Sequence, residues 1–89
     1  MEVREFEIKS VERMPANLEE GILYVCLEHQ VAIHLCACGC KEKTVTPLSM
    51  NGWAFTFRDG EFSLSPSIGN FSMPCKSHYF ITNNKVRWC

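Results

Sequence analysis

The sequence carries little net charge: nine lysines and arginines stand against ten aspartates and glutamates, for a formal charge of -1. No five-residue basic run occurs either. There is thus no electrostatic case for nucleic acid or for an anionic membrane surface as a partner. Long hydrophobic runs are also missing, because no stretch approaches the roughly 20 apolar residues of a membrane span. Met1 to Ser10 mixes charged with apolar residues and lacks an apolar signal core, so the expected location is the cytoplasm. Internal repeats, low-complexity blocks and a sustained helical period are all lacking, which argues against solenoids, disordered tails and helical bundles.

What the chain does have is 89 residues, 46% of them hydrophobic and 21% charged, ordinary values for a folded domain. We expect one domain over residues 1–89. A chain this short buries only about 60 to 65% of its unfolded surface, so some staple beyond the apolar core is expected. Six cysteines are available for it. In a secreted chain that number would suggest three disulfides, whereas in a reducing compartment clustered thiols more often hold metal.

The turn signals are those of successive hairpins. Around Asp59-Gly60 a type I′ turn pairs Arg58 with Glu61, Phe57 with Phe62, Thr56 with Ser63 and Phe55 with Leu64. That register puts Phe55, Phe57, Phe62 and Leu64 on one core face. A second hairpin turns at Asn83-Asn84 and pairs Thr82 with Lys85, Ile81 with Val86, Phe80 with Arg87, Tyr79 with Trp88 and His78 with Cys89. Tyr79, Ile81, Val86 and Trp88 then share an apolar face, and His78 points the other way. Ile22 to Leu27 and Val31 to Leu35 read as strands around a turn near His29, Phe6 to Val11 as another strand, and Ala16 to Glu20 as one helical turn. The expected fold is all-β: a small antiparallel, partly open barrel or sandwich of hairpins, stapled by a structural zinc site.

Cys36-Ala37-Cys38-Gly39-Cys40 places three thiols within five residues, with Gly39 free to turn the backbone, and Cys75 supplies a fourth. Four thiolates at about 2.3 Å make a closed structural zinc site that stabilises folding and leaves no position for a substrate. Buried free thiols, disulfides and an iron–sulfur centre are the competing readings. A Rieske-type centre would need a histidine where Cys38 stands. Cys26, on a strand, reads as a core thiol and Cys89 as a free terminal one. His34 is an alternative zinc ligand or a structural histidine.

With four cysteines on the metal, His78 remains on a polar face, where an imidazole can act as a general base. Ser67 follows Pro66 at a strand end, and Ile68-Gly69-Asn70 then turns. A hydroxyl, a base and nearby amide donors are what acyl transfer requires. The candidate oxyanion donors are Gly69 N–H, Asn70 N–H and the Asn70 side-chain amide. From residues alone a turn role for Ser67 competes with this reading, as does zinc ligation by His78. Ser77, adjacent to His78 in sequence, should face the opposite side of the strand.

Several motifs together carry a resemblance over nearly the whole chain: Leu18-Glu19-Glu20-Gly21, His34-Leu35-Cys36-Ala37-Cys38-Gly39-Cys40, Thr46-Pro47-Leu48-Ser49, Gly52-Trp53, Ser63-Leu64-Ser65-Pro66-Ser67-Ile68-Gly69-Asn70 and Pro74-Cys75-Lys76-Ser77-His78-Tyr79. The chain resembles the small serine peptidase family of bacterial ubiquitination-like (Bub) operons, formerly a domain of unknown function. The resemblance implies a Ser-His dyad, nucleophile Ser67 and base His78, with Cys36, Cys38, Cys40 and Cys75 left to hold metal. It also implies a ubiquitin-like protein or its conjugates as substrate, activating and conjugating enzymes as partners, and an anti-phage setting. Lys41, Asn51 and Phe71 depart from the family pattern without touching this chemistry. The competing class is a noncatalytic zinc-binding adaptor that docks a ubiquitin-like protein through exposed strand edges.

Overall fold

A computed structural model describes residues 2–49, 52–70 and 74–89. Its elements in chain order are β1 (Glu7–Ser10), β2 (Ile22–Cys26), β3 (Val31–Leu35), β4 (Lys43–Pro47), β5 (Ala54–Arg58), β6 (Glu61–Gly69), β7 (His78–Thr82) and β8 (Lys85–Trp88). They form two four-stranded sheets, β1-β2-β3-β4 and β5-β6-β7-β8. Both sheets face one core, to which the first contributes Phe6, Leu23, Val25 and Ala32 and the second Phe62, Leu64, Ile68, Tyr79 and Ile81. Among the described residues, no helix is long and apolar enough to cross a membrane.

The two hairpins form where the turn chemistry places them. Asp59 and Gly60 both have positive φ (53° and 81°), as do Asn83 and Asn84 (49° and 69°), which is the type I′ geometry that matches strand twist. Every expected pair of the first hairpin is present, from Arg58↔Glu61 to Phe55↔Leu64. In the second, Thr82↔Lys85 through Tyr79↔Trp88 are paired, and Cys89 N–H donates to His78 O at 3.0 Å. Because β5 is an edge strand, Phe57 lies beyond the core and is exposed, whereas Phe55 stacks on Phe62 with ring centres 6.1 Å apart.

The N-terminal segment joins the two sheets along one side. Phe6 N–H donates to Asn84 O at 2.7 Å and Val86 N–H to Arg4 O at 2.9 Å, so the chain borders β8 before it enters β1. On the far side β4 and β5 are not paired, and this leaves a seam that keeps the barrel open.

Four expectations change. Ser67 is not at a strand end: β6 runs on through Ile68 and Gly69, which pair with Tyr79 and His78 instead of turning, because the strand absorbs an irregularity after Leu64. The strand near the N-terminus spans Glu7–Ser10 and runs parallel to β2, so the architecture is not antiparallel throughout. Its partner is chosen by the crossover from β8, a nonlocal constraint. Residues 16–20 form bends and the start of a turn instead of a helical turn, with Glu19 N–H held by the Tyr24 hydroxyl at 3.0 Å. A strand also occurs at Lys43–Pro47 with its polarity inverted: Thr44 and Thr46 point inward and are buried, while Val45 is exposed. Burial of Thr46 is made tolerable by its hydroxyl, which donates to Ala32 O at 2.8 Å.

Candidate functional site

The sulfurs of Cys36, Cys38, Cys40 and Cys75 all lie within 4.8 Å of one another, and these four residues could hold a metal ion. The loop after β3 supplies three of them, turning at Gly39 with φ of 92°. The segment entering β7 supplies the fourth. Cys36 and Cys38 sulfurs are 3.5 Å apart, Cys40 and Cys75 3.6 Å, and Cys36 and Cys75 3.7 Å. Disulfides would bring pairs to about 2.05 Å. Ligands at about 2.3 Å from a tetrahedral ion stand about 3.8 Å apart, which is close to the spacing seen.

The surroundings of the cluster donate hydrogen bonds to it. The Asn70 side-chain amide donates to Cys36 Sγ at 3.3 Å and to Thr44 Oγ1 at 3.3 Å, and the Ser77 hydroxyl donates to Cys75 Sγ at 3.4 Å. Ser77, through its hydroxyl and then its N–H, brings the Cys75 thiol down to about 6. Cys40 moves the other way, to about 12: water is displaced from its sulfur, and its thiol neighbours add to the effect even though the residue is exposed overall. Four adjacent sulfurs do not all ionise side by side without a cation.

His34 stands outside this cluster. Fully buried, it meets the Tyr79 hydroxyl through Nε2 at 2.7 Å and packs edge-on against Phe6. Loss of water holds its pKa down to about 4, so the ring is neutral. Ala37 N–H donates to the same Tyr79 oxygen at 3.4 Å, tying the cysteine loop to β7. Of the remaining cysteines, Cys26 is buried and directed to Glu12 O, and Cys89 is exposed.

Ser67 and His78 meet on the opposite side of the second sheet. Ser67 Oγ is 2.7 Å from His78 Nε2, and both residues are half-buried. A register irregularity creates this contact. Leu64 pairs with Ile81 and Ile68 with Tyr79, so three residues of β6, Ser65 to Ser67, face the single residue Phe80 on β7. Such a bulge bends the strand and re-aims a side chain. Ile68 and Tyr79 beside it are buried, so the neighbours Ser67 and His78 face outward by the alternation of a strand.

Of the expected oxyanion donors, those of Asn70 are engaged elsewhere. Its N–H donates to Ser77 O at 2.7 Å and its amide hydrogens serve Cys36 and Thr44. Asn70 is a buried support of the thiol cluster. Sequence reasoning missed that role, together with those of Thr44 and Tyr79, because each depends on contacts between distant strands. Ser77 does face inward, as expected, and is buried against the cluster.

The family described as bacterial ubiquitination-like system serine protease (BubE) matches residues 10–89. The chain belongs to the BubE family. The matched span includes all four clustered cysteines together with Ser67 and His78. The family description gives BubE proteins a serine-protease role in a bacterial ubiquitination-like system. No curated protein and no solved structure matches the chain.

Proposed function

We propose that this BubE protein is a serine peptidase in which Ser67 and His78 form a dyad, acting at the C-terminus of a bacterial ubiquitin-like protein. The bond is a peptide, isopeptide or ester, in the precursor or in its conjugates. The 2.7 Å approach of Ser67 Oγ to His78 Nε2 carries the reading. A hydroxyl at that distance hands its proton to the imidazole as its oxygen attacks the acyl carbon. His78 then returns the proton to the leaving amine or alcohol, leaving an acyl group on Ser67. Water, deprotonated by the same imidazole, releases it. A dyad suffices when the ring is held by its strand, and His78 is fixed here between β6 and β8.

The metal in this reading is zinc on Cys36, Cys38, Cys40 and Cys75. Four thiolates close its coordination shell, so it supplies a cross-link between the β3 loop and β7 and takes no substrate. The peptidase acts beside the activating and conjugating enzymes of the same system, in a reducing cytoplasm that keeps the thiols free.

Covalent trapping tests the reading. A fluorophosphonate should add once per chain, at Ser67, and block cleavage of a ubiquitin-like precursor. Labelling at another serine, or none in a protein that cleaves, would refute the assignment.

A further inference from the structure

The strand that carries Ser67 is longer than the neighbour that covers it. β6 runs from Glu61 to Gly69, whereas β5 pairs only with Glu61 to Ser65. From Pro66 to Gly69, among the described residues, β6 has a strand on its β7 side alone. The chain leading into β5 is drawn away from this edge. Trp53 N–H donates to Pro47 O at 2.8 Å, toward the end of β4. Gly52 packs there so closely that a Cβ would clash with Pro47 O.

Register fixes the direction of the uncovered backbone groups. Asn70 N–H bonds Ser77 O, and the carbonyl of His78 is taken by Cys89 N–H on the β8 side. Gly69↔His78 is thus a pair without hydrogen bonds between β6 and β7, and the Gly69 N–H and C=O point away from β7, to the side where no strand lies among the described residues. The same few residues therefore hold a hydroxyl at hydrogen-bonding distance from an imidazole and an edge that offers a donor and an acceptor. An occupant that pairs with the edge and brings a carbonyl to Ser67 must itself be extended backbone.

We propose that an extended peptide tail adds to the sheet along Pro66–Gly69, in line with β5, and that Gly69 N–H positions its carbonyl beside Ser67. Strand addition supplies main-chain hydrogen bonds, which hold a flexible tail without regard to its side chains. At its β5 end the added strand meets a largely apolar groove of ≈ 840 Å³ at the seam, where Leu27, Leu48, Trp53, Ala54 and Phe55 line it together with the polar Gln30 and Ser49. Ala54 lies directly across from Ser65, so the groove begins two residues from Ser67. The proposal rests on the peptidase reading for the identity of the tail.

The test uses Ser67→Ala protein and a synthetic peptide carrying the C-terminal residues of a ubiquitin-like protein from such a system. Amide hydrogen exchange should slow at least about tenfold at Gly69 when the peptide binds, with Ile68 and Asn70, already bonded toward β7, unchanged. Methylation of single peptide nitrogens should weaken binding about tenfold at alternate positions, the cost of one hydrogen bond, and little in between. Binding that leaves Gly69 exchange unaltered, or that tolerates every methylation, overturns strand addition. Cleavage by the unmodified protein is scored separately: cleavage without Gly69 protection sinks this proposal alone, and protection without cleavage sinks only the hydrolytic reading. Absence of both sinks the two together.

Discussion

Asn70 and Ser77 face each other at the end of β6, joined by an N–H to O bond of 2.7 Å, and each gives its side chain to a different thiol of the cluster, Cys36 and Cys75 respectively. The next rung of the same ladder is Gly69 with His78. The cysteine cluster and the Ser67–His78 contact therefore lie on opposite faces of one short piece of sheet, one rung apart. A disturbance of the thiols reaches the imidazole through backbone, without any loop in between.

Metal should accordingly govern both folding and cleavage. We expect about one zinc per chain, and expect Cys75→Ser to lose it together with the cooperative melt. Structural zinc contributes apparent binding free energies of about 10–16 kcal/mol, comparable to or larger than the roughly 5–15 kcal/mol that holds an average domain folded. Metal analysis and thermal melts with and without chelator decide the matter. A metal-free preparation with an unchanged cooperative transition would refute it.

Asn70 separates support of the cluster from oxyanion stabilisation. Loss of an oxyanion donor lowers kcat by about 100- to 1000-fold whatever the metal concentration. Loss of a hydrogen bond to a metal ligand instead weakens metal affinity by about 10- to 100-fold. With its N–H and amide hydrogens engaged, Asn70→Ala should release metal more readily and lose cleavage in dilute zinc, yet regain most of its activity when zinc is saturating. A deficit in kcat that excess zinc leaves untouched would return Asn70 to the catalytic centre.

Tyr79 holds together groups that no local pattern connects. Its hydroxyl meets His34 Nε2 and accepts from Ala37 N–H, and all three residues are buried. Tyr79→Phe keeps the ring against Trp88 but leaves those two groups without their partner, at about 1–3 kcal/mol each. Denaturant melts at saturating zinc should fall by that order, with metal content retained. A change below about 0.5 kcal/mol would mean that water fills the place of the hydroxyl.

What could be read in the sequence was what local chemistry decides. Asp59-Gly60 and Asn83-Asn84 adopt positive φ almost regardless of context, and the turn then dictates each strand pair. The cysteines were legible because three of them sit in five residues. β4 was not, since its inward positions are Thr44 and Thr46 while its apolar Val45 and Pro47 face water, the reverse of the usual alternation. The parallel β1 depends on a crossover between sheets, and the approach of Ser67 to His78 depends on the irregularity between Leu64 and Ile68. No residue pattern announces how many residues a bulge will absorb.

The kinetics of serine and histidine variants should show one unit with a single function. If Ser67 attacks and His78 takes its proton, removing either leaves the other with nothing to do, so Ser67→Ala, His78→Ala and the double variant should be about equally inactive, by several orders of magnitude. Independent contributions would instead multiply in the double variant. The control must be chosen with care. Ser63 on the same strand accepts a hydrogen bond from Asn83 N–H at 2.9 Å, so Ser63→Ala perturbs the β7–β8 turn. Ser65 is exposed, and Ser65→Ala should leave activity unchanged. Ser77→Ala removes a donor to Cys75 and should act through metal affinity, with activity restored by added zinc. His78→Ala should keep both zinc and the melting profile, because its imidazole lies on the face away from the cluster. Should Ser77→Ala abolish cleavage at saturating zinc while Ser67→Ala still cleaves, the nucleophile is Ser77, on the side of the cluster. Should every serine variant cleave, no covalent serine intermediate is formed.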